Sequence, residues 1–176
     1  MPKVRKMLND WDAPYIKSLM RQIETQSKET LTYWAVEYSE EVMLPLWRKH
    51  YPIDLRPSNA LTAARDWQAG TIKLPQAKKA ILECHAAARE AENNPVAQAA
   101  ARAIAQSAST IHSAKHCIGL ALYGALAVAY DALGTEAQWE QLELCAAEGC
   151  GRMLDSLRSI SVEDEPYPVN IDWKSR

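Results

Sequence analysis

The chain has 176 residues, enough for one domain with its own core, and 48% hydrophobic with 24% charged residues marks a globular protein and not a disordered one. Twenty-eight alanines, six glycines and no phenylalanine favour helix over sheet, because alanine is the strongest helix former. A formal charge of -2 supplies no global pull toward nucleic acid or an anionic membrane, and neither is an expected partner.

The apolar spacing predicts a first helix from near Asp12, with Pro14 in its opening turn and Tyr15, Ile16, Leu19, Met20 and Ile23 on one face. A second runs from Lys28 to His50. Leu31, Trp34, Ala35, Tyr38, Val42 and Leu46 form one stripe of it, and Tyr33, Val36, Met43, Leu44 and Trp47 a second patch on roughly the opposite side. A helix apolar on two faces is sandwiched in a bundle or turned to a partner, and Pro45 should bend or restart this one. Arg56-Pro57 opens a third helix, with Ala60, Leu61, Ala64 and Trp67 inward and Gly70 as its stop. Pro75 starts a fourth, to about Glu92, with Ala77, Ile81, Cys84 and Ala88 inward, and Asn93-Asn94-Pro95 marks a turn.

From Pro95 to Leu133 the pattern is helical, with one break expected among Ser107, Ser109, Thr110 and Ser113, whose hydroxyls compete for backbone bonds. Ala97, Ala101 and Ala105 leave a smooth groove for another helix. Gly134 ends the segment, and Thr135 with Gln138 resembles a capping box for a last helix with Trp139, Leu142, Ala146, Cys150, Met153 and Leu157 inward. The expected fold is all-α: a single-domain bundle of about six or seven helices over residues 1–160. Residues 161–176, with Pro166, Pro168 and Glu163-Asp164-Glu165, read as an extended acidic tail.

The longest apolar run, Cys117 to Tyr130, has 14 residues and is too short for a bilayer core of ~30 Å. Met1 to Trp11 contains no apolar stretch of the secretory kind, so the expected location is cytoplasmic. Cys84, Cys117, Cys145 and Cys150 form no Cys-x-x-Cys pair and read as free thiols in a reducing compartment.

His112 and His116, four residues apart, are expected on one helix face with Tyr123 and Tyr130. Two such imidazoles can hold a metal if His85 or Cys84 completes a tetrahedron, which makes a metal-binding protein or metal-dependent enzyme the alternative reading. Ser113 follows His112, so the glutamate base of the helical zinc protease motif is missing. Cys84-His85 and His116-Cys117 put thiol beside imidazole, but adjacent helical residues point ~100° apart and neither pair can act alone. No phosphate loop, dinucleotide fingerprint or nucleophile elbow occurs, and no cofactor or catalytic residue is expected.

Charge is uneven. Residues 61–130 carry seven basic and four acidic groups, whereas residues 131–176 carry four and ten. Glu136, Glu140 and Glu143 are expected along one shoulder of the last helix, where they can dock a basic protein, although acids near a helix start are also favoured by its dipole.

Between Leu31 and Tyr130 the sequence resembles the Imm-5-like immunity proteins of bacteria. The resembling pieces are LTYWAVEYSEEVMLPLW at 31–47, YPIDLRP at 51–57, ALTAARDWQAG at 60–70, CHAAARE at 84–90 and AARAIAQSASTIHSAKHCIGLALYGALAV at 100–128. Trp34, Arg56-Pro57, Trp67, Gly70, His85, His112 and His116 form the ordered set within them. Family members commonly carry an acidic pair before the Arg-Pro turn, of which this chain keeps only Asp54. The resemblance implies a small cytosolic helical protein that neutralises a cognate toxin in toxin–antitoxin-like systems, and it assigns no catalytic residues. Tyr33 and Trp47 are then the expected anchors of the partner interface, because binding energy concentrates in Trp, Tyr and Arg. The two-faced second helix also allows a homodimer or other homo-oligomer.

Overall fold

Proline stands in the first two positions of five α-helices in the computed structural model, which describes residues 3–175. Its fixed φ suits a helix start, and the N–H it lacks has no partner there. The helices are α1 (Pro14–Ile23), α2 (Lys28–Tyr38), α3 (Leu44–His50), α4 (Arg56–Gln68), α5 (Leu74–Glu90), α6 (Pro95–Ser109), α7 (Ile118–Leu133) and α8 (Trp139–Ile160). No strand occurs among the described residues, and the chain is one all-α domain.

Lys28 to His50 is the single rod the apolar spacing predicts, with a feature the sequence did not announce. A π-helical turn, Ser39–Met43, joins α2 to α3, and the Leu44 N–H donates to the Ser39 carbonyl. Pro45 would clash with the carbonyl four residues back in a regular helix, and the wider turn ahead of it absorbs the lost bond. Most of both apolar faces of this rod lies inside the bundle, Leu31, Trp34 and Ala35 on one side and Val36, Met43, Leu44 and Trp47 on the other, while Tyr33 stays half exposed.

α6 and α7 form the centre. Eleven of the residues of each helix are buried, so both are apolar nearly all round. The layers run α8 on α7, α7 on α6 and α6 on α5, while α1 packs on α8 and α2 to α4 close the side of α6. Gly124 allows the α7–π-turn approach, because a Cβ there would meet the Met43 sulfur at 2.9 Å. Ala114–Leu133 is long and apolar enough to cross a membrane by length and composition, yet 67% of its 18-residue apolar window is buried in the bundle, where it forms the core helix and its lead-in turn.

Alanine sets the spacing of α5 and α6. Ala87, Ala88, Ala91, Ala97 and Ala101 surround the Trp47 indole, so one large ring fills the space five small side chains leave. Ser39, buried on the π turn, donates to Ser107 Oγ at 2.7 Å, and Ser107 donates onward to the Ala103 carbonyl at 2.8 Å. No buried side-chain nitrogen or oxygen among the described residues lacks a partner.

The capping box at Thr135 does not form. Gly134 takes φ 83° and a turn follows, so α8 starts at Trp139 with Gln138 before it and no side-chain cap. Oxygen caps are instead Ser27, which accepts from the Thr30 N–H, and Asn94, which accepts from the Ala97 N–H.

Two segments outside the helices lash the bundle. Near the N-terminus the Leu8 N–H donates to the Leu122 carbonyl, the Tyr130 hydroxyl donates to the Arg5 carbonyl, and the Arg5 guanidinium sits 3.7 Å over the Trp139 ring. At the other end the chain beyond α8 is irregular, with turns, and folds back over the end of α1. Gln26, buried, donates to the Val162 carbonyl and accepts from its N–H, and the Gln26 carbonyl takes the Val169 N–H. Trp173 donates to Glu24 Oε1 at 2.7 Å.

Candidate functional site

Two surfaces of opposite character stand out. The first is a pocket of about 270 Å³ where α5 meets the turn after α6, lined by Lys78, Ile81, Leu82, His85, Ser109, His112 and His116. The break predicted among the hydroxyl residues does occur there. Ser107, Ser109 and Thr110 each donate back to the carbonyl four residues earlier, α6 stops at Ser109, and a 3-10 turn, Ala114–Cys117, precedes α7. His112 therefore sits in a turn and His116 in a 3-10 segment, and the shared α-helical face expected of them is not formed. Their rings still meet edge to face, with centroids 5.2 Å apart. Tyr123 packs against the core from α7, and Tyr130 turns to Arg5 at the far end of that helix, so neither extends the histidine pair.

His116 is held by a partner from α6: its Nδ1 lies 2.9 Å from Gln106 Oε1. An amide oxygen can only accept, so the ring proton is on Nδ1 and Nε2 is left for another partner. Gln106 reaches this place across Gly119, where a Cβ would stand 2.5 Å from both Gln106 Cβ and Cγ.

All three imidazoles titrate below the ordinary histidine range. Burial is the main cause, and cations add to it: Arg102 and Arg89 around His85, Lys78 and Lys28 around His112, Lys115 beside His116. No group of three or more His, Cys, Asp or Glu side chains among the described residues can hold a metal, so His85, His112 and His116 do not make the expected ligand set. Cys84, the fourth candidate, is withdrawn into the α5–α6 contact. Its thiol donates to the Ala101 carbonyl and burial pushes its pKa up to about 12. Burial raises the Cys117 thiol as well, so neither sulfur is poised as a thiolate nucleophile.

The second region has two parts, a row of exposed acids on the first half of α8 and a groove where the end of α8 meets α2. Glu140 and Glu148 are exposed on the outer face of α8, one turn either side of Leu144, which is 65% exposed. Glu143 is half-buried and accepts from the Tyr15 hydroxyl at 3.3 Å; burial and that carboxylate push Tyr15 up to about 12. Glu136 belongs to the turn before α8 and not to the helix, so the three acids do not form the single helical shoulder expected. Beside α8, a groove of about 200 Å³ is lined by Tyr33 and Glu37 from α2, by Glu41 from the π-helical turn, and by Ser156 and Ser159 of α8. Tyr33 is 49% exposed over it. Arg65 bonds both Glu37 and Glu40, which fixes part of this rim.

Trp47 is no anchor for a partner. It is 1% exposed, donates to the Asp54 carbonyl at 2.9 Å and stacks on Tyr51. That carbonyl belongs to the turn of the Arg-Pro motif, where Arg56 closes on the Asp54 carboxylate and reaches Glu90 of α5. Trp34, also buried, donates to Ser156 Oγ at 2.8 Å. Trp47 and Arg56 thus tie α3 and the start of α4 to the turn between them and to α5, and Trp34 ties α2 to α8.

The family model described as Imm-5 like putative immunity protein matches residues 21–148. The chain belongs to that family. Neither a curated relative nor a solved structure matches it. The match covers the whole of α2 to α7 and the first half of α8, and so contains both surfaces of this immunity-family protein except the last turns of α8.

Proposed function

We propose that this immunity-family protein neutralises a cognate toxin by direct contact through the acidic α2–α8 surface, by binding and not by chemistry. The observation that carries this reading is Tyr33, 49% exposed over a groove rimmed by Glu37 and Glu41. A half-exposed tyrosine in a groove is the kind of residue on which interface energy concentrates. The exposed acids of α8 on either side of Leu144 extend the surface, with an apolar spot inside a negative field. The complementary toxin surface is basic with an apolar knob. An inhibitor interface needs about 800 Å² per partner, a small part of the 9207 Å² this molecule exposes.

The test is rescue of growth. The product of the adjacent open reading frame is expressed in a laboratory host with and without this protein, and viable cells are counted. The proposal expects killing that the wild-type protein relieves, and loss of relief with Tyr33→Ala or with Glu140→Lys and Glu148→Lys together. Full protection by those variants would move the contact to another face. Killing unrelieved by the wild type would remove the toxin reading.

A further inference from the structure

We propose that the pocket between α5 and the turn after α6 binds a carboxylate carried on a short apolar stem. Its lining has no acid: one ammonium, Lys78, and three imidazoles face Ile81 and the 66%-exposed Leu82. Apart from the rings' effect on one another, the charged side chains that perturb them most are cations, namely Lys28, Lys78, Arg89, Arg102 and Lys115. An anion therefore enters a positive field without displacing any internal salt bridge, since none of the pocket's lining residues takes part in an ion pair.

The single lining ammonium matches a monovalent anion better than a phosphate dianion, and the two aliphatic side chains need hydrocarbon against them. Lys78 is the donor that holds the anion near neutral pH. With its Nδ1 proton on Gln106, the neutral His116 ring offers only a lone pair at Nε2, and it becomes a second donor once Nε2 is protonated, which keeps the Gln106 bond. The volume of about 270 Å³ accepts an acid of a few carbons. It accepts equally the side chain of an aspartate or glutamate next to an apolar residue on a partner chain. None of the pocket's lining residues lines the Tyr33 groove, and this inference stands whether or not a toxin binds there.

Histidine ring signals of the isotopically labelled protein report on the site directly. One arm of the titration uses 4-methylpentanoate with its uncharged analogue 4-methylpentanamide; the other uses the capped peptide Ala-Leu-Glu-Leu-Ala. Saturable shifts of the pocket imidazoles with a carboxylate probe are expected, with the amide at least about tenfold weaker. Lys78→Gln, a change at an exposed side chain that leaves the fold intact, should weaken the carboxylate about tenfold. The arm that saturates at lower concentration identifies the source, free acid or protein side chain. An amide that binds as well as the acid, a Lys78→Gln protein that binds unchanged, or no saturable shift in either arm overturns the proposal.

Discussion

Gly119 and Gln106 occupy one space between α6 and α7: a Cβ on the glycine would lie 2.5 Å from the Cβ and Cγ of the glutamine. The glutamine is thereby free to run along α7 and hold the His116 ring at 2.9 Å. Gly119→Ala should therefore do two things. It should cost about 1–3 kcal/mol by overpacking, read in urea denaturation, and it should release His116, read as a changed ring signal. A variant of wild-type stability with an unmoved His116 signal would show that Gln106 yields without cost.

Acid should loosen the fold through the same region. His85, His112 and His116 titrate below the usual histidine value because burial and neighbouring cations disfavour their charged forms. The unfolded chain then takes up protons first as pH falls through about 6.5, and the folded state loses stability from there down to the depressed folded values. The urea midpoint should be lower at pH 5.5 than at pH 7.5, and replacing the three histidines with glutamine should flatten that difference. An equal or higher midpoint at pH 5.5 would contradict the assignment of the rings as cation-surrounded and half-buried.

Trp47 and Tyr33 should separate stability from function. Trp47→Ala empties the space framed by five alanines and leaves Tyr51 without its stacking partner, at a cost of about 3–5 kcal/mol. Tyr33→Ala changes a half-exposed ring and should stay within about 0.5 kcal/mol of wild type. Calorimetric melting of both variants checks the contrast, and a large loss with Tyr33→Ala would mean that the ring is a structural one.

Gln26 holds the C-terminal segment by three hydrogen bonds, two from its side chain. Gln26→Ala should free residues 161 onward while the helices stay folded, so limited trypsin or Glu-specific proteolysis should cut that segment faster with no change in helical circular dichroism. Equal cutting rates would place the hold in Val169, Ile171 and Trp173 instead.

Thiol reactivity offers a quick check of burial. Cys84, Cys117 and Cys150 are buried and Cys145 is partly exposed. A disulfide reagent should titrate one thiol in the native protein and all four after unfolding. Rapid native reaction of two or more would mean that α5 or α7 opens readily.

The helices were legible because their signals are local. Pro14, Arg56-Pro57, Asn94-Pro95 and Gly134 mark ends that backbone chemistry dictates, and the 3.6-residue repeat marks the inward faces. What was not legible depends on approach between distant segments. Tyr33 and Trp47 belong to one apolar patch in sequence, yet only Trp47 is covered, because alanines of α5 and α6 arrive to receive it. His112 and His116 keep the spacing of a helical pair while the back-bonded hydroxyls of α6 end the helix before them. Gln26 and Arg5 carried no signal at all, since single polar residues acquire such roles only when a remote backbone passes by.

The layering of α8, α7, α6 and α5 sets the basic pocket and the acidic helix on opposite sides of the central pair. The formal charge of -2 hides an uneven distribution, since residues 61–130 carry seven basic and four acidic groups and residues 131–176 four and ten. A charge distribution of that kind turns in the field of a positively charged molecule before any contact, with its acidic part forward. For the basic partner proposed above, collisions would arrive already oriented, and added salt should slow association far more than it hastens release.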